Sequence, residues 1–251
     1  RDVATLRRAL SDGAIHAAYL PEDLPSVDLL LVALRPGDAI RFLRSALPRM
    51  KPGAMAADLC GVKRAVVEAI GPVAAGAGVR FVGAHPMAGR EVSGYAHSDE
   101  ALFRGASLIL TPSDGQPCEE TRALGDLVGR LGFARAVVTT PEEHDRLIAY
   151  TSQLAHVASS AYVMSPAAAR HFGFSAGSFR DMTRVARLDA DMWTELFDLN
   201  RDMLSAELSG LIARLTELRD ALDGRDEARL RSLLEAGNRR KLQLIEKEGS
   251  T

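Results

Sequence analysis

The 251-residue sequence predicts an α/β domain built on a parallel sheet, followed by an all-α domain. Over the first 140 residues, short apolar runs alternate with helical stretches through short connections, which is typical of a parallel sheet with crossover helices. From Pro141 onward the strand signals end and the apolar residues take helical spacing. Thr140 suits a helix N-cap and Pro141 the first helical position, so we predict domains over residues 1–140 and 141–251.

The elements of the first domain follow from apolar runs and from turn-forming residues. The run 28–34 is almost continuously apolar, as expected for a strand covered on both faces, and Pro36 suits the start of the next helix. The predicted helices cover residues 3–10, 36–47, 62–75 and 119–131. The predicted strands cover residues 14–20, 28–34, 54–59, 80–84, 107–111 and 134–139.

The second domain is predicted to contain helices over residues 141–172, 178–186, 190–222 and 225–247. The helix over 190–222 carries more apolar residues than a small bundle readily covers. A dimer interface would cover them, and an intramolecular core is the alternative. We favour the dimer.

Composition excludes several classes of protein. Lys and Arg total 31 against 33 Asp and Glu, so the charge gives no reason to expect nucleic acid or an anionic membrane as partner. The two cysteines, Cys60 and Cys118, do not form a disulfide framework and fit a reducing compartment. No apolar run approaches the roughly 20 residues that cross a bilayer, and no signal-peptide pattern is present. We therefore expect a cytoplasmic protein.

One histidine lies where an open α/β sheet usually binds its ligand. His85 follows the predicted strand 80–84 and precedes Pro86, and the carboxyl ends of parallel strands are the usual ligand sites. An imidazole exchanges a proton near neutral pH, so His85 is a candidate general base or acid. The alternative is a buried histidine that only bonds a turn carbonyl.

The sequence contains no recognisable phosphate-binding loop or metal site. The nearest match to G-x-G-x-x-G begins at Gly76, but it ends a predicted helix and leads into a strand, the reverse of the required order. No Walker loop, H-E-x-x-H pattern or G-x-S-x-G elbow occurs. We expect no metal.

Further polar residues stand out in the helical half. Ser152 and His156 share one helix face at i, i+4 spacing, and Arg180 and Arg184 do the same. A guanidinium facing a cavity can bind a carboxylate through two parallel hydrogen bonds. The alternative is that both arginines form structural ion pairs with nearby aspartates.

Taken together, six short stretches resemble the prephenate and arogenate dehydrogenase family over nearly the whole chain. They are Asp58-Leu-Cys-Gly-Val-Lys63, His85-Pro-Met-Ala-Gly89, Leu102-Phe103, Ser152-Gln-Leu-Ala-His156, Gly177-Ser-Phe-Arg-Asp-Met-Thr-Arg184 and Met192-Trp193. The resemblance implies a Rossmann-like nucleotide-binding domain, N-terminally incomplete here, and an all-α dimerisation domain, so a homodimer is expected.

The resemblance also implies an activity and a set of site residues. The activity is oxidative decarboxylation of prephenate or arogenate in tyrosine biosynthesis, with NAD or NADP accepting the hydride. By resemblance, His85 assists deprotonation of the ring hydroxyl and Arg184 binds a substrate carboxylate. The other expected substrate-binding residues are His156, Gly61, Gln153, Glu91 and Trp193, and the expected cofactor-binding residues are Leu34, Arg35, Pro36 and Lys63.

The sequence departs from the family pattern in three ways. It begins with Arg1, after the point where the family has its glycine-rich loop, so we expect that loop upstream. Gly61 stands in place of the serine of the D-x-x-S-x-K motif, and Gln153 and Ala155 replace a histidine and a proline of S-H-L-P-H. These departures keep open a non-oxidative prephenate-binding module, a cofactor-independent prephenate lyase, or a helical scaffold without a ligand. The sequence decides neither NAD against NADP, nor prephenate against arogenate, nor feedback inhibition by tyrosine.

Overall fold

The computed structural model describes residues 2–89, 92 and 94–248. Its strands are β1 (Leu29–Val32), β2 (Met55–Asp58), β3 (Arg80–Pro86), β4 (Ser107–Thr111) and β5 (Arg135–Val138). Its helices are α1 (Val3–Ser11), α2 (Pro36–Ala46), α3 (Arg64–Ala77), α4 (Glu119–Arg130), α5 (Pro141–Ile148), α6 (Leu154–Val163), α7 (Gly177–Thr183), α8 (Ala190–Leu199), α9 (Arg201–Asp223) and α10 (Glu227–Glu248). The chain divides into two compact units, one ending at Leu204 and one beginning at Ser205. The predicted domain boundary near Thr140 stays a prediction.

The five strands form one sheet in the order β1-β2-β3-β4-β5. Strands β1, β2 and β3 are parallel, with Val32 opposite Asp58 and Asp58 opposite Gly83. Their carboxyl ends therefore meet at one edge of the sheet. The predicted alternation of strands and helices is confirmed over this part.

The predicted parallel-sheet fold class is confirmed, and within the described sheet the departure from the parallel arrangement comes at β4. This strand runs antiparallel to β3, and β5 is parallel to β4. A parallel neighbour needs a crossover connection, usually a helix. The described residues between β3 and β4 instead form only two short 3₁₀ turns, Tyr95–His97 and Glu100–Phe103, so the chain turns back beside β3.

The central strands of the sheet are covered on both faces. Ala56 belongs to the cluster that α2 and α3 complete with Leu43 and Ile70. Its neighbour Ala57 belongs to the opposite cluster, which includes Leu124 of α4. Successive strand residues point to opposite faces, so the continuous apolar runs are explained by burial on both sides.

The predicted strand over residues 14–20 is wrong. This stretch is irregular, and within the described residues β1 is the edge strand, with Leu31 44% exposed. Three alanines among these seven residues give a weak strand propensity. A groove of about 620 Å³ follows the edge, with Tyr19, Leu24 and Phe42 in its walls.

The long predicted helices are interrupted. A π-helical turn, Ala149–Gln153, joins α5 to α6, and α6 ends at Val163. The helix predicted over 190–222 breaks at Asn200, which is buried and lies outside helical backbone angles. Within the part of the chain that the structure describes, no helix combines the length and the apolar character needed to cross a bilayer.

Candidate active site

His85 lies at the carboxyl end of β3, where the parallel strands meet. Gly61, in the loop after β2, lies beside the imidazole. A Cβ added to Gly61 would lie 3.9 Å from both Cε1 and Nε2 of His85 and 3.5 Å from Cδ2 of Leu196. The Nε2 edge of His85 thus faces Gly61, and Leu196 of α8 packs against that same glycine.

The opposite nitrogen of His85 contacts a second histidine. His85 Nδ1 is 2.9 Å from His144 Nε2, and His144 Nδ1 is 2.7 Å from Oδ1 of Asp145. His144 and Asp145 lie in the first turns of α5, and both are buried. The result is a row of three side chains, His85–His144–Asp145, that runs from the strand end into the protein.

Asp145 is anchored to the start of α3. Its Oδ1 accepts the backbone N–H of Lys63 at 2.7 Å, and its Oδ2 accepts that of Arg64 at 2.9 Å. These amides belong to a helix N-terminus, which favours a negative charge. The carboxylate therefore fixes α5 against α3 and fixes the position of His144.

Lys63 supports the site from within. Its side chain is fully buried, and its ammonium donates to Asp58 and, at 2.7 Å, to the backbone oxygen of Ala84, the residue before His85. We expected Lys63 to contact a cofactor. Its burial gives that expectation no support, and the ammonium instead fixes the ends of β2 and β3.

Burial sets the protonation state of the two histidines. It lowers the pKa of His85 to about 3, and the charges of His144 and Lys63 act in the same direction. Burial also lowers the pKa of His144, although the hydrogen bond to Asp145 opposes this. Both imidazoles are therefore neutral near pH 7.

Cys60, next to Gly61, does not contribute a nucleophile. Burial, and then the charge of Asp58, raise the pKa of its thiol far above the ordinary value. A thiol that stays protonated is a poor nucleophile, so Cys60 acts as a small packed side chain.

A second group of predicted residues is assembled on α6 and α8. The imidazole of His156 stacks on Trp193 with the ring centroids 3.8 Å apart, and its Nδ1 donates to the backbone oxygen of Ser152 at 2.9 Å. Trp193 lies three residues before Leu196 on α8, so one helix face connects this stack to the surroundings of His85.

Arg184 lies directly after α7, in a 3₁₀ turn, and is exposed. Ser159 of α6 donates to the backbone oxygen of Met182 at 2.8 Å, which ties the end of α7 to the helix that carries His156. The structure thus places Arg184 and His156 on connected elements.

Gln153, another expected substrate-binding residue, does not face a ligand surface. Gln153 is buried, its amide donating to the Leu196 oxygen at 3.2 Å and accepting from Asn200 at 2.8 Å. The expected contact of Gln153 with a substrate therefore has no support in this arrangement. Glu91 lies outside the described residues.

The remaining expected cofactor-binding residues lie where β1 leads into α2. Leu34 and Arg35 are exposed, Pro36 is buried, and Arg35 pairs with Asp189 at 2.8 Å. The amide of Gly37, in the first turn of α2, donates to Oε1 of Glu195 at 2.6 Å. The start of α8 is thus fixed against the start of α2.

His144 and Asp145 were missed by the sequence analysis. A signal was available, because His144 lies four residues before the buried Ile148 and so shares the inward face of α5. A histidine and an aspartate on a buried helix face need partners, and His85 and the amides of α3 are those partners.

Two family models together match most of the chain. Residues 2–139 match the nucleotide-binding domain of prephenate dehydrogenase, and residues 140–236 match its dimerization domain. The chain belongs to the prephenate dehydrogenase family. This member of the family keeps the strand-end histidine and has glycine at position 61 beside it.

Curated relatives of this prephenate dehydrogenase family member are long proteins. It is 26% identical over 241 residues to prephenate dehydrogenase of Lactococcus lactis, covering 93% of this chain and 64% of the relative. It is 31% identical over 159 residues to prephenate dehydrogenase of Bacillus subtilis, which covers 60% of this chain and 42% of the relative. It is 29% identical over 228 residues to cyclohexadienyl dehydrogenase of Zymomonas mobilis, which covers 87% of this chain and 76% of the relative. The chain thus spans less than two thirds of the first two relatives.

Solved structures share the fold of this family member. It superposes on arogenate dehydrogenase of Synechocystis with a TM-score of 0.82 and 23% identity, over 97% of this chain and 89% of the other. For prephenate dehydrogenase of Aquifex aeolicus, solved with hydroxyphenyl propionate and NAD⁺, the TM-score is 0.84 at 23% identity, over 97% and 86%.

Proposed function

We propose that this chain carries the catalytic base and the substrate-binding residues of an NAD(P)-dependent dehydrogenase that oxidatively decarboxylates prephenate or arogenate. The observation that carries the proposal is the position of His85: an imidazole at the carboxyl end of β3, with its Nε2 edge beside Gly61. The relatives named prephenate and cyclohexadienyl dehydrogenase support the substrate class.

In this reaction His85 first accepts a proton from the substrate and later returns a proton to the product. Its Nε2 lone pair accepts the proton of the ring hydroxyl while the hydrogen on the same carbon leaves as hydride. A bound NAD(P)⁺ supplies the hydride acceptor. Loss of CO₂ leaves an electron pair that completes the aromatic ring, and the resulting phenolate oxygen takes the proton back from His85.

Arg184 and the His156–Trp193 stack are proposed to hold the substrate. A guanidinium binds a carboxylate in a fixed plane, and prephenate carries two carboxylates. His156 Nδ1 donates to the Ser152 backbone oxygen, so Nε2 is the ring nitrogen that remains to contact the substrate. These groups position the substrate, and correct positioning accelerates the reaction.

The residues at the end of β1 fit one part of a dinucleotide. Leu34 offers exposed apolar surface and Arg35 a cation at the edge where open α/β sheets bind nucleotides. The amide of Gly37 already holds a carboxylate, which shows that the start of α2 accepts an anionic oxygen. No residue of this chain is assigned to the pyrophosphate.

We propose that the protein is a homodimer. Residues 140–236 match a dimerization domain, and this range carries large apolar side chains on its surface. Phe172 is 81% exposed and Phe174 is 94% exposed. Apolar surface of this kind is typical of association sites.

The test is a spectrophotometric assay of the purified protein with prephenate or arogenate and NAD⁺ or NADP⁺. We expect reduced nicotinamide and aromatic product in equal amounts. His85→Asn should lower kcat by about 10²- to 10⁴-fold, because a positioned base contributes on that order. His97→Asn is the matched control, because His97 is exposed and lies in a surface 3₁₀ turn. Aromatic product without reduced nicotinamide would contradict the proposal and indicate a cofactor-independent lyase.

A further inference from the structure

We propose that His144 and Asp145 are positioning residues that hold His85 as the tautomer with its proton on Nδ1 and its lone pair on Nε2. The inference rests on the proposed function, in which the Nε2 lone pair is the base. Under this proposal, α5 contributes two residues that orient His85 and that lie outside the short motifs around His85.

Asp145 fixes which nitrogen of His144 carries the proton. An ionised carboxylate only accepts hydrogen bonds, and the other groups around Asp145 are donors: the amides of Lys63 and Arg64, with the Arg64 guanidinium 3.6 Å from Oδ2. The nitrogen of His144 that faces Oδ1 at 2.7 Å must therefore carry a proton. His144 is thus protonated on Nδ1.

His144 in turn fixes which nitrogen of His85 carries the proton. The neutral ring of His144 carries a single proton, so its Nε2 is an acceptor. The partner at 2.9 Å is His85 Nδ1, which must donate. Burial lowers the pKa of both rings, which disfavours the alternative in which His144 is doubly protonated and donates to His85.

With its proton on Nδ1, His85 has its lone pair on Nε2. Among the described residues, no hydrogen bond engages this nitrogen, and the side chain that would stand beside it is absent at Gly61. Within the described part of the chain, the tautomer of His85 is therefore set from the Nδ1 side. The lone pair is directed toward Gly61 rather than into the protein.

The row His85–His144–Asp145 also determines which of its side chains can carry a positive charge. The ammonium of Lys63 and the burial of both rings oppose an imidazolium, whereas the carboxylates of Asp145 and Asp58 favour one at His144. When His85 gains a proton at Nε2, its Nδ1–H points at a ring backed by Asp145. The carboxylate thus stabilises the charge that develops during the reaction.

The first measurement needs neither activity nor a variant. ¹⁵N NMR of the histidine-labelled protein near pH 7 should show His85 with a protonated Nδ1 and an unprotonated Nε2. The opposite tautomer, or a doubly protonated ring, would overturn the inference. The spectrum reports on the tautomer even if the protein oxidises no substrate, so a failure of the proposed function remains distinguishable.

The second measurement compares variants in the prephenate assay. Asp145→Asn keeps the shape of the side chain but allows it to donate to His144, so kcat should fall by about 10- to 100-fold with little change in KM, and the tautomer of His85 should become mixed. Asp202→Asn is the control, because Asp202 also pairs with Arg64 but is exposed and has no contact with the two histidines.

A pair of substitutions at His144 separates positioning from packing. The amide oxygen of His144→Gln can still accept from His85 Nδ1, whereas His144→Leu fills the space without an acceptor. We expect the glutamine variant to keep the wild-type tautomer of His85 and to exceed the leucine variant in kcat at least about 10-fold. Equal kcat in the two variants, or wild-type kcat in folded Asp145→Asn, would contradict the inference.

Discussion

At the scale of single residues, the site is made of polar groups that the protein has removed from water. The ammonium of Lys63 is fully buried with Asp58, and His144 and Asp145 are buried beside them. Removing one partner of a buried charge pair leaves the other charge uncompensated, at a cost of about 3–5 kcal/mol. These residues therefore determine the structure of the strand ends as well as their chemistry.

The neutral histidines make stability depend on pH. Unfolded His85 has an ordinary pKa of about 6.5, whereas burial holds the folded pKa at about 3. The unfolded chain therefore binds a proton that the folded chain does not, and the free energy of unfolding falls as the pH falls from about 6.5 toward 3. The contribution of one such group is at most about 1.4 kcal/mol per pH unit, and it is fully present above about pH 6.5.

Urea unfolding of the wild type and of His85→Asn, at about pH 7 and about pH 5, measures this effect. The variant should lose less stability between the two pH values than the wild type. His97→Asn, which removes an exposed histidine, should behave like the wild type. An unchanged pH dependence in His85→Asn would show that the folded histidine titrates normally.

Sequence reasoning found His85 but not the residues behind it, and the reason is physical. His85 is recognisable because a strand, a proline and a glycine follow one another in the chain. Its contact with His144 joins residues 59 positions apart and exists only because α5 packs beside the end of β3. Gln153 shows the converse: its motif position suggested a ligand contact, and burial beside Asn200 gave it a structural role.

At the scale of elements, the π-helical turn between α5 and α6 aligns two buried side chains. Nine steps of about 100° separate His144 from Gln153, which would place them on opposite sides of a regular α-helix. The turn Ala149–Gln153 takes up one extra residue, and both side chains point inward. The backbone oxygen of Asp145 and the side chain of Gln153 consequently bind the same Asn200 amide, at 2.8 Å each.

Deleting Tyr150 tests this role of the turn. Tyr150 lies within the π turn and is 58% exposed, so its deletion should convert the turn to α-helix and keep the inward register. Deleting Ala155 from α6 is the control, because it rotates the buried Ser159 by about 100° away from the Met182 oxygen. We expect cooperative thermal unfolding for the first deletion and a Tm lower by several degrees, or no folding, for the second. A lower Tm for the Tyr150 deletion than for the Ala155 deletion would contradict the proposed role of the π-helical turn.

The element predictions succeeded where one local signal decided them. Continuous apolar runs located the strands, most clearly the central ones, which are buried on both faces of the sheet. The sequence did not indicate the antiparallel direction of β4, because that direction depends on what connects β4 to β3. The prediction of one long helix over 190–222 was wrong, because Asn200 breaks it through contacts with distant residues. Neither the connection between β3 and β4 nor the contacts of Asn200 can be read from the local sequence.

At the scale of the whole molecule, the described site lies within one compact unit. The strand ends and the parts of α5, α6 and α8 that contact them all precede Ser205. The second unit carries its own exposed apolar residues, which include Ile212, Leu215 and Leu234. Each unit therefore presents surface that association would cover.

The proposed dimer is tested by its mass in solution. The double substitution Phe172→Ser and Phe174→Ser removes two of the most exposed aromatic side chains of the range that matches the dimerization domain. In sedimentation equilibrium, the dissociation constant should rise at least about 10-fold, since burial of one such ring contributes about 1.5–3 kcal/mol. Tyr19→Ser is the control, because Tyr19 is exposed outside that range. Unchanged association in the double variant would exclude these rings from the interface.

The glycine beside His85 has a consequence for inhibitor selectivity. Its missing side chain leaves space for about one carbon atom, with Leu196 at 3.5 Å and His85 at 3.9 Å from the point where that carbon would lie. Under the proposed function, a substrate analogue with a methyl group next to its ring hydroxyl would place that methyl in this space, which the serine of the D-x-x-S-x-K motif would occupy. One methyl group in an apolar pocket changes binding by about 10-fold or more. The glycine therefore provides a basis for compounds that distinguish this protein from relatives that carry the serine.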